Sequence, residues 1–172
     1  MSNDRVLGII RDLTATKRKD GTGHPNVDLS KLLTFRLSRL QARANSHAAK
    51  ILKQHAGISL SEWRVFVLIE TFGKTTSAQI VRSTKFDKGQ VSRTIKGMQQ
   101  KGLLNIESSK TDQRSYEIDF SAKGLSLFEK ARPAMRRRQD ILMQSLGPED
   151  REQLFRIFDK LDAALVEMEA AI

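Results

Sequence analysis

Between Leu29 and His55 the apolar positions Leu29, Leu32, Leu33, Leu37, Leu40, Ala44, Ala48, Ile51 and Leu52 trace one broad face of a long helix that stops at Gly57. Ser59-Leu60-Ser61-Glu62 is a capping-box pattern, and it opens a second helix through Trp63, Val65, Phe66, Leu68 and Ile69 to Gly73. The hydroxyl cluster Thr75, Thr76 and Ser77 suits an N-cap for the short helix AQIVRST. Asp87 caps a further helix, Lys88 to Lys101, that ends at Gly102. The period then changes. Leu103 to Glu107 and Ser115 to Phe120 read as strands, the second alternating Tyr116, Ile118 and Phe120 with Glu117 and Asp119. Ser121 caps a long helix interrupted near Pro133, where a kink is expected. After Gly147-Pro148 a last amphipathic helix carries Leu154, Phe155, Ile157, Phe158, Leu161, Leu165 and Met168.

This order of elements gives a mainly α chain with a small β-wing, divided into four parts: a flexible extension (1–28), a first long helix (29–57), a central lobe (58–122) and two C-terminal helices (123–172). Within residues 1–27, Val6, Leu7, Ile9, Ile10 and Leu13 allow a short helix. The cluster Lys17-Arg18-Lys19 reads either as a solvated stretch or as a basic arm.

Charge changes this picture most. The chain of 172 residues carries a formal charge of +10, which points to a polyanionic partner. From Arg82 to Tyr116 there are eight basic and three acidic side chains, a net of +5, and from Leu29 to His55 six basic and no acidic ones. The last helix reverses sign, with five acidic against two basic residues between Glu152 and Ile172. The first and last helices are therefore complementary in charge, and an intertwined homodimer would bury the apolar faces of both. Packing within one chain is the other way to cover them.

Other chemistries find little support. Without cysteine there are no disulfides and no thiolate metal sites. His24, His47 and His55 lack metal-ligand spacing and a partnered nucleophile, so neither a metal, nor a cofactor, nor an enzyme is expected. No stretch approaches the roughly 20 apolar residues that span a bilayer, no signal peptide is visible, and a soluble cytoplasmic protein is expected.

The capped basic helix followed by a two-stranded wing suits double-stranded DNA. Gln90, Arg93 and Thr94 lie on the face away from Val91, Ile95 and Met98. Arg93 can bond a guanine and Gln90 an adenine. Lys88, Ser92 and Lys96 suit phosphates, as does Lys110 at the rim of the turn, and Arg114 suits the minor groove. Asp112, as a carboxylate, braces the wing rather than meeting phosphate. An ion pair within the protein, with Asp112 for example, is the alternative role for Arg93.

LSEWRVFVLIETFG, SAQIVRSTKFDKGQVSRTIKGMQQKGLL and the wing TDQRSYEIDFSAKG, with Asp112, Arg114, Ile118, Phe120, Ser121 and Gly124 as its most specific positions, resemble the MarR-type winged helix-turn-helix transcriptional regulators from about Leu29 to the C-terminus. Ser121 and Met98 depart mildly from the usual Thr and Leu. The resemblance implies a triangular homodimer on a pseudo-palindromic operator, commonly a repressor released by a small anionic or phenolic effector. Phe35, Arg36, Arg39, His47, Trp63 and Phe66 are the candidate effector residues, a cation beside aromatic walls suiting an aromatic carboxylate or an acyl-thioester. Trp63 and His47 read equally well as packing residues. A non-specific architectural or RNA-associated protein is the competing reading.

Overall fold

The computed structural model describes residues 28–84, 87–108 and 116–171. By its internal contacts the chain forms two units, residues 1–50 and 51–172. In the first, Asp28 caps a 3-10 turn, Leu29–Lys31, and a separate α-helix, α1 (Leu33–Ala56), begins after the extended Leu32. The periodicity alone joins the two; the extended Leu32 separates them. Leu33, Phe35, Leu37 and Leu40 of α1 are exposed.

The second unit holds the core. Its elements are α2 (Leu60–Phe72), α3 (Ser77–Thr84), α4 (Lys88–Gln100), β1 (Leu104–Ser108), β2 (Tyr116–Phe120), α5 (Ala122–Gln144) and α6 (Pro148–Ala170). The caps expected from sequence form. Ser59 and Glu62 make a reciprocal capping box, the Thr76 hydroxyl accepts from the Gln79 amide at 3.2 Å, and Ser121 accepts from the Gly124 amide at 2.9 Å. Each satisfies amides that the first turn of a helix leaves orphaned.

Phe66 and Ile69 of α2, Ile80 of α3, Val91, Ile95 and Met98 of α4, Leu104 and Ile118 of the wing and Phe128 of α5 interlock as one hydrophobic cluster. Phe66 stacks on Phe120 at 5.1 Å and meets Phe128 edge-on at 6.2 Å. The strands pair antiparallel with Leu104 opposite Phe120 and Ile106 opposite Ile118. A bridge between Thr75 and Ile118, closed by bonds of 3.0 and 2.7 Å, ties the wing to the start of α3.

Contrary to the interruption expected at Pro133, α5 runs through it as one helix. The missing proline N–H removes a single rung, while Phe128 and Ala131 anchor the preceding turn in the core. The last helix differs in kind. None of the 23 residues of α6 is buried, and Phe155, Ile157, Phe158, Leu165, Val166 and Met168 are all exposed.

Candidate nucleic-acid interface

Asp87 starts α4 by accepting a 2.8 Å hydrogen bond from the Gln90 amide. Val91, Ile95 and Met98, spaced four and three apart, hold one side of the helix in the core. That anchoring turns the other side outward. Lys88, Gln90, Ser92, Arg93 and Lys96 are all exposed, and α4 contains no acidic residue. The far end is fixed twice. The Lys101 ammonium donates to the buried Glu62 carboxylate at 2.7 Å, and Lys123 donates to the Lys101 carbonyl at 2.8 Å. Gly102, at φ 68°, then reverses the chain into the wing.

Glu62 joins the two ends of this arrangement. One carboxylate oxygen accepts from the Ser59 amide at 2.7 Å and the other from Lys101. Burial alone would raise its pKa, but the hydrogen bonds from Lys101 and Ser59 outweigh burial and hold the carboxyl below its usual range. A capping residue of α2 thus also sets where α4 ends.

The predicted DNA-facing residues on α4 divide into two flanks. Gln90 and Thr94 lie toward α2, and the Thr94 hydroxyl donates to the Gln90 carbonyl at 2.9 Å. Lys88, Ser92 and Lys96 lie toward the wing, along a cleft of about 820 Å³ between α3, α4 and the strands. Arg93 points between the flanks. Its guanidinium stands 3.9 Å from Asp87, and Asp112, the partner named in the sequence reading, lies outside the described residues. Gly89 leaves room for the pair, since a Cβ there would sit 3.1 Å from the Asp87 carboxylate and 3.2 Å from Arg93. Both partners are largely exposed, so the contact is easily exchanged for a stronger one.

Lys110, Asp112 and Arg114 lie outside the described residues. Arg82, Gln99 and Tyr116 border the cleft as well, although the sequence reading gave none of them a site role. The one signal for Arg82 was its place in the basic stretch.

The effector candidates are distributed over two helices. Phe35, Arg36, Arg39 and His47 are exposed on α1. Trp63 is half-buried and stacks on Phe128 at 5.0 Å. Phe66 has no exposed surface, which makes it a core residue and not the wall of a pocket. Among the described residues no cluster of His, Asp and Glu could hold a metal ion, and no helix is long and apolar enough to cross a membrane.

A helix pair, α3 and α4, packed under a two-stranded wing and presenting the outer side of α4, defines a winged helix-turn-helix protein. Residues 56–115 match the model of the MarR family. The transcriptional regulator BilQ of Clostridium symbiosum is 26% identical over 108 residues, 63% of this chain and 75% of its own. Among solved structures, a MarR/EmrR family transcriptional regulator from Acinetobacter sp. ADP1 superposes with a TM-score of 0.75 at 23% identity, over 82% of this chain and 99% of that one. MepR of S. aureus, solved as a DNA complex, has a TM-score of 0.71 at 17% identity, over 78% and 98% of the two chains. The chain has the winged helix-turn-helix fold and is similar to the MarR family regulators, as the sequence resemblance implied.

Proposed function

We propose that the protein is a sequence-specific transcriptional regulator that binds a pseudo-palindromic operator as a homodimer, acting as a repressor released by a small anionic or aromatic ligand. The observation that carries this reading is the outer side of α4, where exposed Lys88, Gln90, Ser92, Arg93 and Lys96 stand on a helix with no acidic residue. Lys88, Ser92 and Lys96 meet phosphates, while Gln90, Arg93 and Thr94 read base edges. Lys110 and Arg114 extend the contact from the wing, and Asp112 braces it. The homodimer draws support from the uncovered apolar residues of α1 and α6, and DNA binding from the DNA-bound state of MepR. For the ligand, the cations Arg36 and Arg39 with Phe35, His47 and Trp63 supply the chemistry.

The test is selection of DNA from a random pool by the purified protein at fixed, physiological salt. The expected product is an inverted repeat. Arg93→Ala should lose about 1–3 kcal/mol of discrimination at one base position per half-site, a drop of roughly 5- to 150-fold. A pool that stays flat would replace this reading with non-specific binding driven by charge alone.

A further inference from the structure

The two ends of α4 are held differently. At its start, Asp87 accepts from the Gln90 amide, a bond within the first turn of the same helix. At its end the ties reach α2 and the first turn of α5. The Lys101 ammonium donates to Oε1 of Glu62 at 2.7 Å, the Lys123 ammonium donates to the Lys101 carbonyl at 2.8 Å, and the Ser121 hydroxyl donates to the Gly102 carbonyl at 2.7 Å. Glu62 is itself fixed, because its other oxygen accepts from the Ser59 amide at 2.7 Å and its side chain is buried. The core constrains α4 in only some directions. Val91, Ile95 and Met98 lie along a single side of the helix and set its depth. Such a line of contacts resists a roll about the helix axis less than charged groups fixed at the helix end do. A roll of about 10° carries a side-chain tip, about 5–6 Å from the axis, by roughly 1 Å. Reading a base edge tolerates less than that, since a binding constellation has to hold its geometry to within about 0.5 Å.

We propose that Glu62 and Lys101 form a latch that positions α4 for sequence reading, both acting as positioning residues without touching the duplex. The effect on reading rests on the function proposed above; the latch itself does not. Opening the pair frees the end of α4 to roll on Val91, Ile95 and Met98. Gln90, Arg93 and Thr94 then lose their alignment with base edges, while Lys88 and Lys96 still attract phosphates, which demand less exact placement. Binding to the preferred sequence therefore weakens and binding to random DNA persists. The sign of the charge separates this from simple electrostatics. Glu62→Gln removes a negative charge from the lobe, and charge alone would then draw any duplex more strongly. Positioning gives the opposite result for the preferred sequence.

The experiment uses the full chain in two arms. The first, without DNA, follows amide hydrogen exchange. The amides of Lys101, Gly102 and Leu103 close the end of α4 by donating to the carbonyls of Gly97, Gln99 and Met98. In Glu62→Gln and in Lys101→Met their exchange should quicken about fivefold or more relative to Phe128 and Ala131, which are buried in α5. In Lys101→Arg, whose guanidinium can still meet Glu62, it should match the parent chain. No acceleration, or an even one throughout the lobe, overturns the latch. The second arm compares affinity for a selected sequence with affinity for random DNA at one salt concentration. The ratio should fall roughly fivefold or more in Glu62→Gln and in Lys101→Met, and the two changes combined should cost no more than either alone. Lys101→Arg should keep the parent ratio. An unchanged ratio in Glu62→Gln overturns the effect on reading. So does a loss confined to Lys101→Met and equal for both DNAs, which would make Lys101 a phosphate contact. If selection recovers no sequence, the proposed function fails, and the exchange arm still decides the latch.

Discussion

Gly124, in the first turn of α5, faces the backbone of Leu103 at the root of the wing. A Cβ built there would lie 2.0 Å from the Leu103 carbonyl oxygen and 3.2 Å from Cε1 of Phe66. A carbon and a carbonyl oxygen sit comfortably at about 3.3–3.6 Å, so Gly124→Ala must open this contact by more than an ångström. Neither neighbour can yield. The Leu103 carbonyl is held by the Ser121 amide at 3.2 Å, and Phe66 is fully buried between Phe120 and Phe128. Overpacking of this kind costs about 1–3 kcal/mol and sometimes more, against a helix-propensity gain of roughly 0.5–1 kcal/mol for replacing glycine by alanine. The steric term wins. We expect a net loss of about 2 kcal/mol, which for a chain of this length lowers Tm by about 4–8 °C. Gly97, in the middle of α4, provides the control, because a Cβ there meets nothing within 4 Å. Gly97→Ala should keep only the propensity gain and raise Tm by about 1–4 °C. Both variants are measured by calorimetry at one protein concentration, since association shifts Tm. Equal Tm values for Gly124→Ala and the parent chain would refute the packing argument.

Two further outcomes follow from the geometry. Glu62→Gln should destabilise the chain by about 1–2 kcal/mol, the scale of a lost cap plus a weakened charged hydrogen bond. Because the folded-state pKa of Glu62 lies below its ordinary value of 4.5, the stabilisation is complete above that value and fades as pH falls through the lower, folded-state pKa. Denaturant unfolding between pH 7 and pH 3 should therefore show the variant and the parent converging on the acid side, and a gap that is constant with pH would argue against the ionised pair. Phe158→Asp combined with Leu165→Asp, seven residues apart on α6 and both exposed in the single chain, should halve the mass seen by sedimentation without loss of helix signal. A dimer that persists would place the subunit interface elsewhere.

The lobe was legible in the sequence because its signals are local. Ser59 with Glu62, Asp87 with the Gln90 amide, and Ser121 with the Gly124 amide each close a helix within three residues, and each forms as read. Wing alternation survives only in part: Ile118 is inward and its strand pairs with β1, whereas Tyr116 is exposed. What the sequence hid depends on distant partners. Nothing local links Lys101 to Glu62, 39 residues earlier, or shows that Phe66 is enclosed by Phe120 and Phe128. Nor does anything local show that Arg93 meets Asp87: six residues apart, they are beyond the usual helical neighbours, and Gly89 leaves room between them. Pro133 misled because proline is a strong breaker in isolation, whereas here the core holds the turn before it.

The net charge of +10 does not say where a polyanion would bind. Lys101, Lys74 and Arg132 are tied to Glu62, Glu107 and the pair Glu70 and Glu129, so their fields are largely cancelled at short range. Arg82, Lys88 and Lys96 meet no carboxylate among the described residues, and all three border one cleft on the side that α3 and α4 turn outward. On the proposed reading these three cations stand beside the base-reading residues and help draw an approaching duplex there. Gly97 supports the same assignment independently. It weakens the helix and has no packing partner among the described residues that would require it. A bare backbone on the outer side of α4 gains a purpose once another molecule has to come close to it. If the protein binds a polyanion as proposed, the untied cations and the open glycine favour a contact on α4.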